Sequence, residues 1–305
     1  MDQVTIVIVN YEGQADTREC VTSLLAMKHE QFNYNILIVD NGSIQAFKLP
    51  RSLANKKNIE VVRSQANLGF TGGNNLGIWY ARENYNPDYI LLLNNDTTVD
   101  PHFLEEMVQF SKNHLDVGLI GSKIYFSKGR EYHSETYAHS DRGKVIWFAG
   151  GSIDWPNLVA FHRGVDEVDR GQFDQIFQTD FITGCSLLIP RTVFEKIGGL
   201  DKNYFLYLED VDYSLRAQQA GFKLAVCPQS IVWHKNAGSS GGAGSETSVY
   251  YQTRNRLYFA AKYANWHYRF TALRIGLQKL FFGTRVERKA VIDLVLGNMG
   301  KQPII

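Results

Sequence analysis

Carboxylate and amide side chains follow two apolar runs of the sequence, and their chemistry suits a metal ion or a nucleotide. Asp40 opens the turn Asp40-Asn-Gly-Ser43, and Asp96 ends the triplet Asn94-Asn95-Asp96. A carboxylate with amide oxygens beside it can bind Mg²⁺ or Mn²⁺ while the diphosphate of a substrate supplies the remaining oxygens. Asp40 can instead accept a hydrogen bond from a nucleoside base or ribose. As single motifs, both are equally typical of simple polar turns.

A second group of acids, Glu209-Asp-Val-Asp212, follows the aromatic run Tyr204-Phe-Leu-Tyr207 where a helix is predicted to begin. Carboxylates placed behind apolar residues can include a general base. The alternative is a solvated helix cap, because the helix dipole stabilises acids at this end. His234 ends a later apolar stretch, and we interpret it either as a metal ligand or as a structural histidine.

A glycine-rich segment, Asn67-Leu-Gly-Phe-Thr-Gly-Gly-Asn-Asn-Leu-Gly77, precedes a helix predicted around Asn75–Glu83. It matches neither the Rossmann fingerprint G-x-G-x-x-G nor the P-loop pattern G-x-x-x-x-G-K-[ST]. Glycines still allow a backbone to approach a flat or anionic ligand closely. The segment therefore predicts either a ligand-binding loop or a surface turn.

The elements that position these residues alternate between strand and helix over the first part of the chain. Strands are predicted at Val4–Val9, Ile36–Val39, Ile59–Val62 and Tyr89–Leu93. Alternation with short links predicts an α/β fold, with a mostly parallel sheet and helices on both faces. In such a sheet ligands bind beyond the carboxyl ends of the strands, which is where the polar turns lie.

The rest of the chain departs from this alternation in two places. Residues 126–178 are polar and irregular, and we interpret them as an inserted variable region that sets substrate specificity. A catalytic domain is predicted over residues 1–245, with a hinge or lid at Gly238–Gly244. A helical extension is predicted over residues 246–305.

The helical extension is unusually basic. From Thr247 to Val286 it contains seven Lys and Arg residues and no acid, and apolar residues recur at helical spacing. This pattern predicts a basic amphipathic helix on an anionic membrane surface. The alternative is a pair of helices packed on the catalytic domain or across a homodimer.

The composition narrows the classes of function. Lys and Arg number 32 against 31 Asp and Glu, a net charge of +1 that argues against a nucleic-acid-binding protein. Three widely spaced cysteines predict neither a disulfide scaffold nor a cysteine zinc site. With no signal peptide and no apolar stretch long enough for a membrane span, we expect a cytoplasmic protein, either free or on the inner face of the cell membrane.

In their joint order and spacing, the motifs resemble those of family 2 glycosyltransferases. The series covers roughly residues 3–260 and looks like the bacterial rhamnosyltransferase-like branch. The resemblance implies the GT-A fold, a nucleotide-diphosphate sugar donor, a divalent metal (Mg²⁺ or Mn²⁺) and inversion at the anomeric carbon. The motifs are Val7-Ile-Val-Asn-Tyr11, Asp40-Asn-Gly-Ser43, Asn67–Gly77, Leu93-Asn-Asn-Asp-Thr97, Thr183-Gly-Cys-Ser186, Gly198-Gly-Leu-Asp201, Phe205-Leu-Tyr-Leu-Glu-Asp210 and Arg254-Asn255.

The resemblance also implies roles for single residues. Asp210 corresponds to the catalytic base, with Glu209 in support, and Asp96 with His234 corresponds to the metal ligands. Arg254 is the candidate for stabilising the departing nucleoside diphosphate. The residues implied in donor binding are Asn10, Tyr11, Asp40, Asn67, Gly69, Phe70, Gly72, Gly73, Asn74 and Asn95.

Together these features predict an inverting glycosyltransferase. It would move a sugar from dTDP-rhamnose or a UDP-sugar to a hydroxyl of a glycan or lipid-linked acceptor, in cell-surface polysaccharide synthesis. One alternative is a nucleotidyltransferase, which would want a lysine or arginine in its first glycine loop, and Asn67–Gly77 contains neither. The other is an inactive scaffold that binds nucleotide-sugars, against which the joint presence of Asp96, Asp210, Arg216 and His234 argues.

Overall fold

A computed structural model describes residues 1–236 and 244–304, so the predicted hinge at Gly238–Gly244 lies outside the described residues except for Gly244. The strands are β1 (Asp2–Asn10), β2 (Phe32–Asn41), β3 (Ile59–Ser64), β4 (Tyr89–Asn94), β5 (Thr97–Val99), β6 (Val117–Phe126), β7 (Ile146–Phe148), β8 (Gly151–Asp154), β9 (Val159–His162), β10 (Ser186–Pro190) and β11 (Lys223–His234). The helices are α1 (Gln14–Leu25), α2 (Gly69–Tyr85), α3 (Phe103–Asn113), α4 (Arg191–Ile197), α5 (Glu209–Gln219), α6 (Glu246–Tyr263), α7 (Trp266–Phe282) and α8 (Arg285–Val295).

A central sheet with strand order β3-β2-β1-β4-β10-β6-β11-β5 organises the fold. The pairs β1–β2, β2–β3, β1–β4 and β6–β11 are parallel, whereas β10 runs antiparallel to both β4 and β6. The strands are buried apolar runs such as Val4 and Ile6–Ile8, because helices cover the sheet. The predicted α/β fold with a mostly parallel sheet is confirmed.

Polar residues gather at one edge of this sheet. The parallel strands β1, β2, β4 and β11 end there at Asn10, Asn41, Asn94 and His234. Because β10 is antiparallel, it begins at this edge, and Ser186 pairs with Leu93. The link between β4 and β5, which carries Asn95 and Asp96, lies at the same edge, as does the start of α5.

The glycine-rich segment is helical, which corrects the predicted start of its helix. α2 begins at Gly69 and not near Asn75, so only Asn67 and Leu68 remain as a loop. Gly69 has a left-handed φ of +73°, and a Cβ there would meet the Phe205 carbonyl oxygen at 2.2 Å. Glycine has a low helix propensity, but here its lack of a side chain allows α2 to pack closely against neighbouring elements.

The predicted inserted region contains regular structure of its own. β8 and β9 form an antiparallel hairpin, and β7 pairs with β6. The buried Lys123 of β6 joins the region to the sheet through ion pairs with Asp169 at 2.8 Å and Asp174 at 2.6 Å. The region is therefore tied to the core at fixed points.

The basic C-terminal segment is three helices and not one amphipathic helix, which corrects the sequence prediction. α6 packs into the core: Tyr250, Tyr251, Leu257 and Phe259 are buried. Helices α7 and α8 follow as a hairpin capped by Asn265 and Thr284. In the part of the chain that the structure describes, no helix is long and apolar enough to cross a bilayer.

Close packing of α2 against β1 gives a prediction for Gly77. A Cβ at Gly77 would lie 2.2 Å from Val7 Cγ1, so Gly77→Ala must displace the helix or the strand. We expect the free energy of unfolding to fall by about 1–2 kcal/mol, because overpacking outweighs the better helix propensity of alanine. Urea denaturation measures this change.

Gly276 in α7 is the matched control, because a Cβ there meets only Leu257 Cδ1 at an ordinary 3.7 Å. We expect Gly276→Ala to be neutral or to stabilise the protein by up to about 1 kcal/mol. Equal stabilisation by both variants would contradict the packing account.

Candidate active site

Asp210 lies in the first turn of α5 and faces the start of β10. Its Oδ2 accepts a hydrogen bond from the Gly184 N–H at 2.9 Å, and its Oδ1 accepts one from the Val211 N–H at 2.8 Å. Burial raises the pKa of Asp210 above its ordinary value, while these hydrogen bonds oppose the rise. The side chain is only half-buried, so this carboxylate can meet a ligand from solvent.

Glu209 precedes Asp210 and is buried. Its Oε2 accepts a hydrogen bond from the Thr71 hydroxyl at 3.4 Å. Burial raises the pKa of Glu209 well above its ordinary value, and the charge of Asp210 raises it further. Adjacent buried carboxyl groups do not ionise together cheaply, because the charge on one raises the pKa of the other.

Asp212 is the third carboxylate of the acidic group, and its contacts are those of a structural residue. It is fully buried, and its oxygens accept hydrogen bonds from Arg216 Nε at 2.8 Å, Lys262 Nζ at 2.5 Å and the Tyr263 hydroxyl at 2.8 Å. Asp212 therefore joins α5 to α6 and has no room to meet a ligand.

The turn before Glu209 is held in a costly backbone conformation. Tyr207 and Leu208 have φ values of 72° and 70°, in the left-handed region that costs a non-glycine residue of order 1–3 kcal/mol. Asn255, fully buried in α6, donates two hydrogen bonds from Nδ2 to the carbonyl oxygens of Leu206 at 2.8 Å and Tyr207 at 3.0 Å. These bonds hold the turn that presents Asp210.

Arg254 does not fit its predicted role, and the structure places it outside the site. It is fully buried, and its Nη1 and Nη2 donate to the carbonyl oxygens of Gly300 at 2.7 Å and Asn203 at 3.2 Å. Its Nε donates to Asn255 Oδ1 at 3.0 Å. The guanidinium thus fastens the C-terminal tail and Asn255, and it cannot face a departing diphosphate.

Asp96 and His234 meet at the edge of the sheet, 138 residues apart in sequence. His234 Nε2 lies 3.0 Å from Asp96 Oδ1, and both side chains are nearly buried. His234 Nδ1 is buried with no hydrogen-bond partner among the residues that the structure describes. A carboxylate oxygen and an imidazole nitrogen at one point form a donor set that fits Mn²⁺, whereas Mg²⁺ favours oxygen alone.

These two side chains do not form a complete metal cage. Within residues 1–236 and 244–304, no group of three or more His, Cys, Asp or Glu side chains could hold a metal ion. Any ion bound by Asp96 and His234 would need further ligands from water or a substrate. The arrangement suits a metal that binds together with a diphosphate.

The inserted region contributes a wall of this site. The ring of Trp147 packs edge-on against His234 and His162, with centroids 4.4 Å apart in both pairs. Burial lowers the pKa of His162 to about 4, so this histidine is neutral at pH 7. Trp147 therefore fixes the orientation of His234 through an apolar contact.

Asp96 and Asp210 lie on either side of the residues that precede β10, Gly184 and Cys185. Burial raises the pKa of Cys185 well above its ordinary value, and the charges of Asp96 and Asp210 both raise it further. The Cys185 carbonyl oxygen accepts a hydrogen bond from the Asn94 N–H at 2.9 Å. Asp96 and Asp210 are thus brought together by the β4–β10 pairing.

Asp40 is buried and anchors its own turn. Its oxygens accept hydrogen bonds from Asn10 Nδ2 at 3.2 Å and the Phe47 N–H at 3.0 Å, and Arg63 Nε lies 3.6 Å away. Asn10 is itself held by the Thr17 hydroxyl at 2.8 Å. These contacts order the end of β2, and a direct contact of Asp40 with a nucleoside stays a prediction.

The Asn67–Asn74 segment lies between β2 and α5. Asn67 Oδ1 accepts a hydrogen bond from the Gly69 N–H at 2.8 Å, and a Cβ on Gly184 would meet the Phe70 ring at 2.8 Å. The remaining members of the predicted donor set have the following environments. Tyr11 is half-buried after β1, Gly72 packs on Leu68, Gly73 packs on Val9, Asn74 donates to the Phe70 carbonyl oxygen, and Asn95 donates to the Thr17 hydroxyl.

Sequence reasoning missed two residues that shape the site, Asn41 and Asn255. Asn41 accepts a hydrogen bond from the Leu68 N–H at 3.0 Å and donates to the Gly69 carbonyl oxygen at 3.0 Å, so it fixes the start of α2. Both asparagines stand directly beside residues that the sequence singled out, Asp40 and Arg254. An amide can both donate and accept, which suits it to hold a turn.

Comparison with known proteins identifies the family. Residues 2–260 match the family described as glycosyltransferase-like family 2. The chain is 23% identical over 256 residues to the low-salt glycan biosynthesis hexosyltransferase Agl10 of Haloferax volcanii, covering 84% of this chain and 75% of that protein. It is 24% identical over 277 residues to the N-acetylglucosaminyl-diphospho-decaprenol L-rhamnosyltransferase of Mycobacterium tuberculosis, covering 87% and 86% respectively.

Solved structures show the same fold at low sequence identity. GalNAc-T7, solved with UDP, GalNAc and Mn²⁺, superposes with a TM-score of 0.65 at 17% identity, covering 99% of this chain and 55% of that chain. The mannosyltransferase PcManGT of Pyrobaculum calidifontis, solved with GDP-Man and Mn²⁺, gives a TM-score of 0.56 at 11% identity, covering 99% and 76%. The chain has the predicted GT-A fold and belongs to the glycosyltransferase-like family 2.

Proposed function

We propose that this glycosyltransferase moves a sugar from a nucleoside-diphosphate donor to an acceptor hydroxyl, with inversion at the anomeric carbon. The observation that carries the proposal is that Asp210 and the Asp96–His234 pair both lie at the start of β10. Asp210 accepts a hydrogen bond from the Gly184 N–H, and Asn94, two residues before Asp96, donates one to the Cys185 carbonyl oxygen. The carboxylate of Asp210 is half-buried and within reach of a ligand, as a base requires, and that of Asp96 lies 3.0 Å from the His234 imidazole. Donor and acceptor chemistry would meet between them.

Asp210 is the proposed base. An acceptor hydroxyl loses its proton as it attacks the anomeric carbon, and a carboxylate within hydrogen-bond reach can take that proton. The N–H groups of Gly184 and Val211 keep Asp210 oriented, and the raised pKa from burial makes it a stronger base than an exposed aspartate. Glu209, whose pKa burial raises well above its ordinary value, supports the start of α5 through its hydrogen bond with Thr71.

Asp96 and His234 are the proposed ligands of a divalent cation. When bound, such a cation supplies positive charge to the departing nucleoside diphosphate. The pairing of carboxylate and imidazole favours Mn²⁺ over Mg²⁺ as the natural ion. Asn95, which hydrogen-bonds to Thr17 at 3.0 Å, keeps the loop that carries Asp96 in place.

The names of relatives and the ligands of solved neighbours support a choice of donor and acceptor. The rhamnosyltransferase from M. tuberculosis is named for a diphospho-decaprenol acceptor, and two neighbours were solved with UDP or GDP-Man. We propose dTDP-rhamnose or a UDP-sugar as donor and a hydroxyl of a glycan or lipid-linked saccharide as acceptor, in the synthesis of a cell-surface polysaccharide. A scan of nucleotide-sugars for the increase in melting temperature in Mn²⁺ selects the donor.

Replacement of the base gives the first test of this proposal. Asp210→Asn keeps the shape of the side chain but removes the proton acceptor, so we expect turnover to fall by about 10²–10⁴-fold with donor affinity nearly unchanged. In the wild type, turnover should rise with pH through the raised pKa of Asp210, because only the ionised form accepts a proton. Steady-state kinetics and calorimetry measure both quantities.

Glu209→Gln is the matched control, because glutamine has the shape of the neutral acid. We expect it to keep turnover within about tenfold of the wild type. If Glu209→Gln proved as damaging as Asp210→Asn, the assignment of the base to Asp210 would be wrong.

Removal of the metal ligand gives the second test. We expect EDTA to abolish turnover, and Asp96→Ala to weaken binding of the nucleoside diphosphate in Mn²⁺ far more than in EDTA. Calorimetry measures the affinity for the nucleoside diphosphate directly, so this test does not require turnover. Asp116→Ala is the control, because Asp116 lies exposed at the opposite end of β6. Equal affinity of wild type and Asp96→Ala in Mn²⁺ would refute the metal site.

The role of Asn255 as a positioning residue gives the third test. Asn255→Ala removes the donor to two buried carbonyl oxygens, so we expect a loss of about 1–3 kcal/mol in the free energy of unfolding. We also expect kcat to fall by about 10–100-fold with little change in KM for the donor, because the turn that holds Asp210 loosens. Gln252→Ala, an exposed position on the same helix, should change neither. A folded Asn255→Ala variant with wild-type kcat would contradict this role.

A further inference from the structure

Helix α7 presents an apolar face that no other part of residues 1–236 and 244–304 covers. Five large apolar side chains on it are between 46% and 64% exposed. At about 100° per residue they occupy an arc of about 80° of the helix surface. This set, named here the α7 stripe, consists of Trp266, Phe270, Leu273, Leu277 and Phe281.

The opposite side of α7 is the side that packs on the protein. Tyr268, Ala272 and Ile275 contact a buried cluster formed by Leu158, Ala260 and Ala264. The exposure of the α7 stripe therefore does not arise because α7 is detached from the protein. The helix is attached along one side and exposes aromatic and aliphatic groups along the other, where ordinary surface helices carry polar residues.

The charge around the α7 stripe has one sign. The helix contains no Asp or Glu, and the exposed Arg269 and Arg274 flank the stripe on its two sides at helical spacing. Three of the other five cations of the acid-free segment have partners or burial of their own: Arg254 is buried, Lys262 pairs with Asp212 and Asp201, and Lys279 pairs with Glu287. Both arginines beside the stripe are exposed, and Arg269 also donates a hydrogen bond from Nε to the Ala264 carbonyl oxygen at 2.9 Å.

We propose that the α7 stripe docks on the surface of an anionic lipid bilayer, with α7 lying in the plane of the interface. Tryptophan, phenylalanine and leucine would enter the headgroup region while Arg269 and Arg274 contact lipid phosphates. A second copy of the chain fits less well, because two stripes face to face would bring like charges together with no acid on either helix. This docking does not depend on the proposed transfer reaction.

Flotation of the full chain with vesicles tests the proposal. We expect binding to vesicles of phosphatidylcholine with phosphatidylglycerol at low salt, weaker binding at high salt, and little binding to phosphatidylcholine alone. Arg269→Gln with Arg274→Gln should weaken the partition into vesicles by about 25-fold, since each cation near the surface contributes about fivefold. Phe270→Ser with Leu277→Ser should abolish binding and leave the melting temperature unchanged, because both side chains are exposed.

Two control variants make the same kinds of substitution at exposed positions away from α7. Lys56→Gln with Lys57→Gln removes two exposed cations, and Trp79→Ser removes an exposed aromatic on α2; both should bind like the wild type. Failure of the wild type to bind anionic vesicles, or equal loss in the control variants, would overturn the proposal. So would light scattering that shows a dimer in solution which Phe270→Ser with Leu277→Ser dissociates, because a second copy would then cover the stripe.

Discussion

The left-handed turn at Tyr207 and Leu208 is the constraint on which the geometry of the site depends. This backbone is unfavourable for residues with side chains, so it persists only where neighbours hold it. Asn255 holds it through two carbonyl oxygens, and Arg254 in turn holds Asn255. Without the turn, the chain would enter α5 in another direction, and Asp210 would not meet the Gly184 N–H. The proposed base thus relies on a helix almost fifty residues later in the sequence.

Helix α6 is an integral part of the catalytic fold, because its side chains pack into the main core and bind residues of α5. Lys262 and Tyr263 bind Asp212, and Phe259 belongs to the main core. The expected boundary near residue 245 marks a change in sequence character, yet the first helix beyond it supports the turn before α5. Helix α7 differs, because it packs along one side only. One continuous basic segment therefore contains both α6, which supports the turn before α5, and α7, which exposes an apolar face.

The fold and the polar edge of the sheet could be predicted from sequence because they depend on local patterns. Buried strands read as apolar runs, and Asp40 and Asp96 could be placed at strand ends from their neighbours alone. The start of α2 could not be predicted in this way, because Gly69 begins a helix only where Phe205 and Asn41 pack against it. The predicted role of Arg254 is wrong for a related reason. An arginine just past the predicted hinge at Gly238–Gly244 suggests a contact with an anion, whereas its partners Asn203 and Gly300 lie about fifty residues away on either side.

The central claim is a single displacement with Asp210 as the only base, and the configuration of the product tests it most directly. Proton NMR can follow the anomeric signal of the first sugar transferred or released from the nucleotide-sugar that the protein turns over. The account predicts that this sugar has the anomeric configuration opposite to that in the donor. A first product with retained configuration would contradict it, because retention by double displacement needs a nucleophile as well as a base.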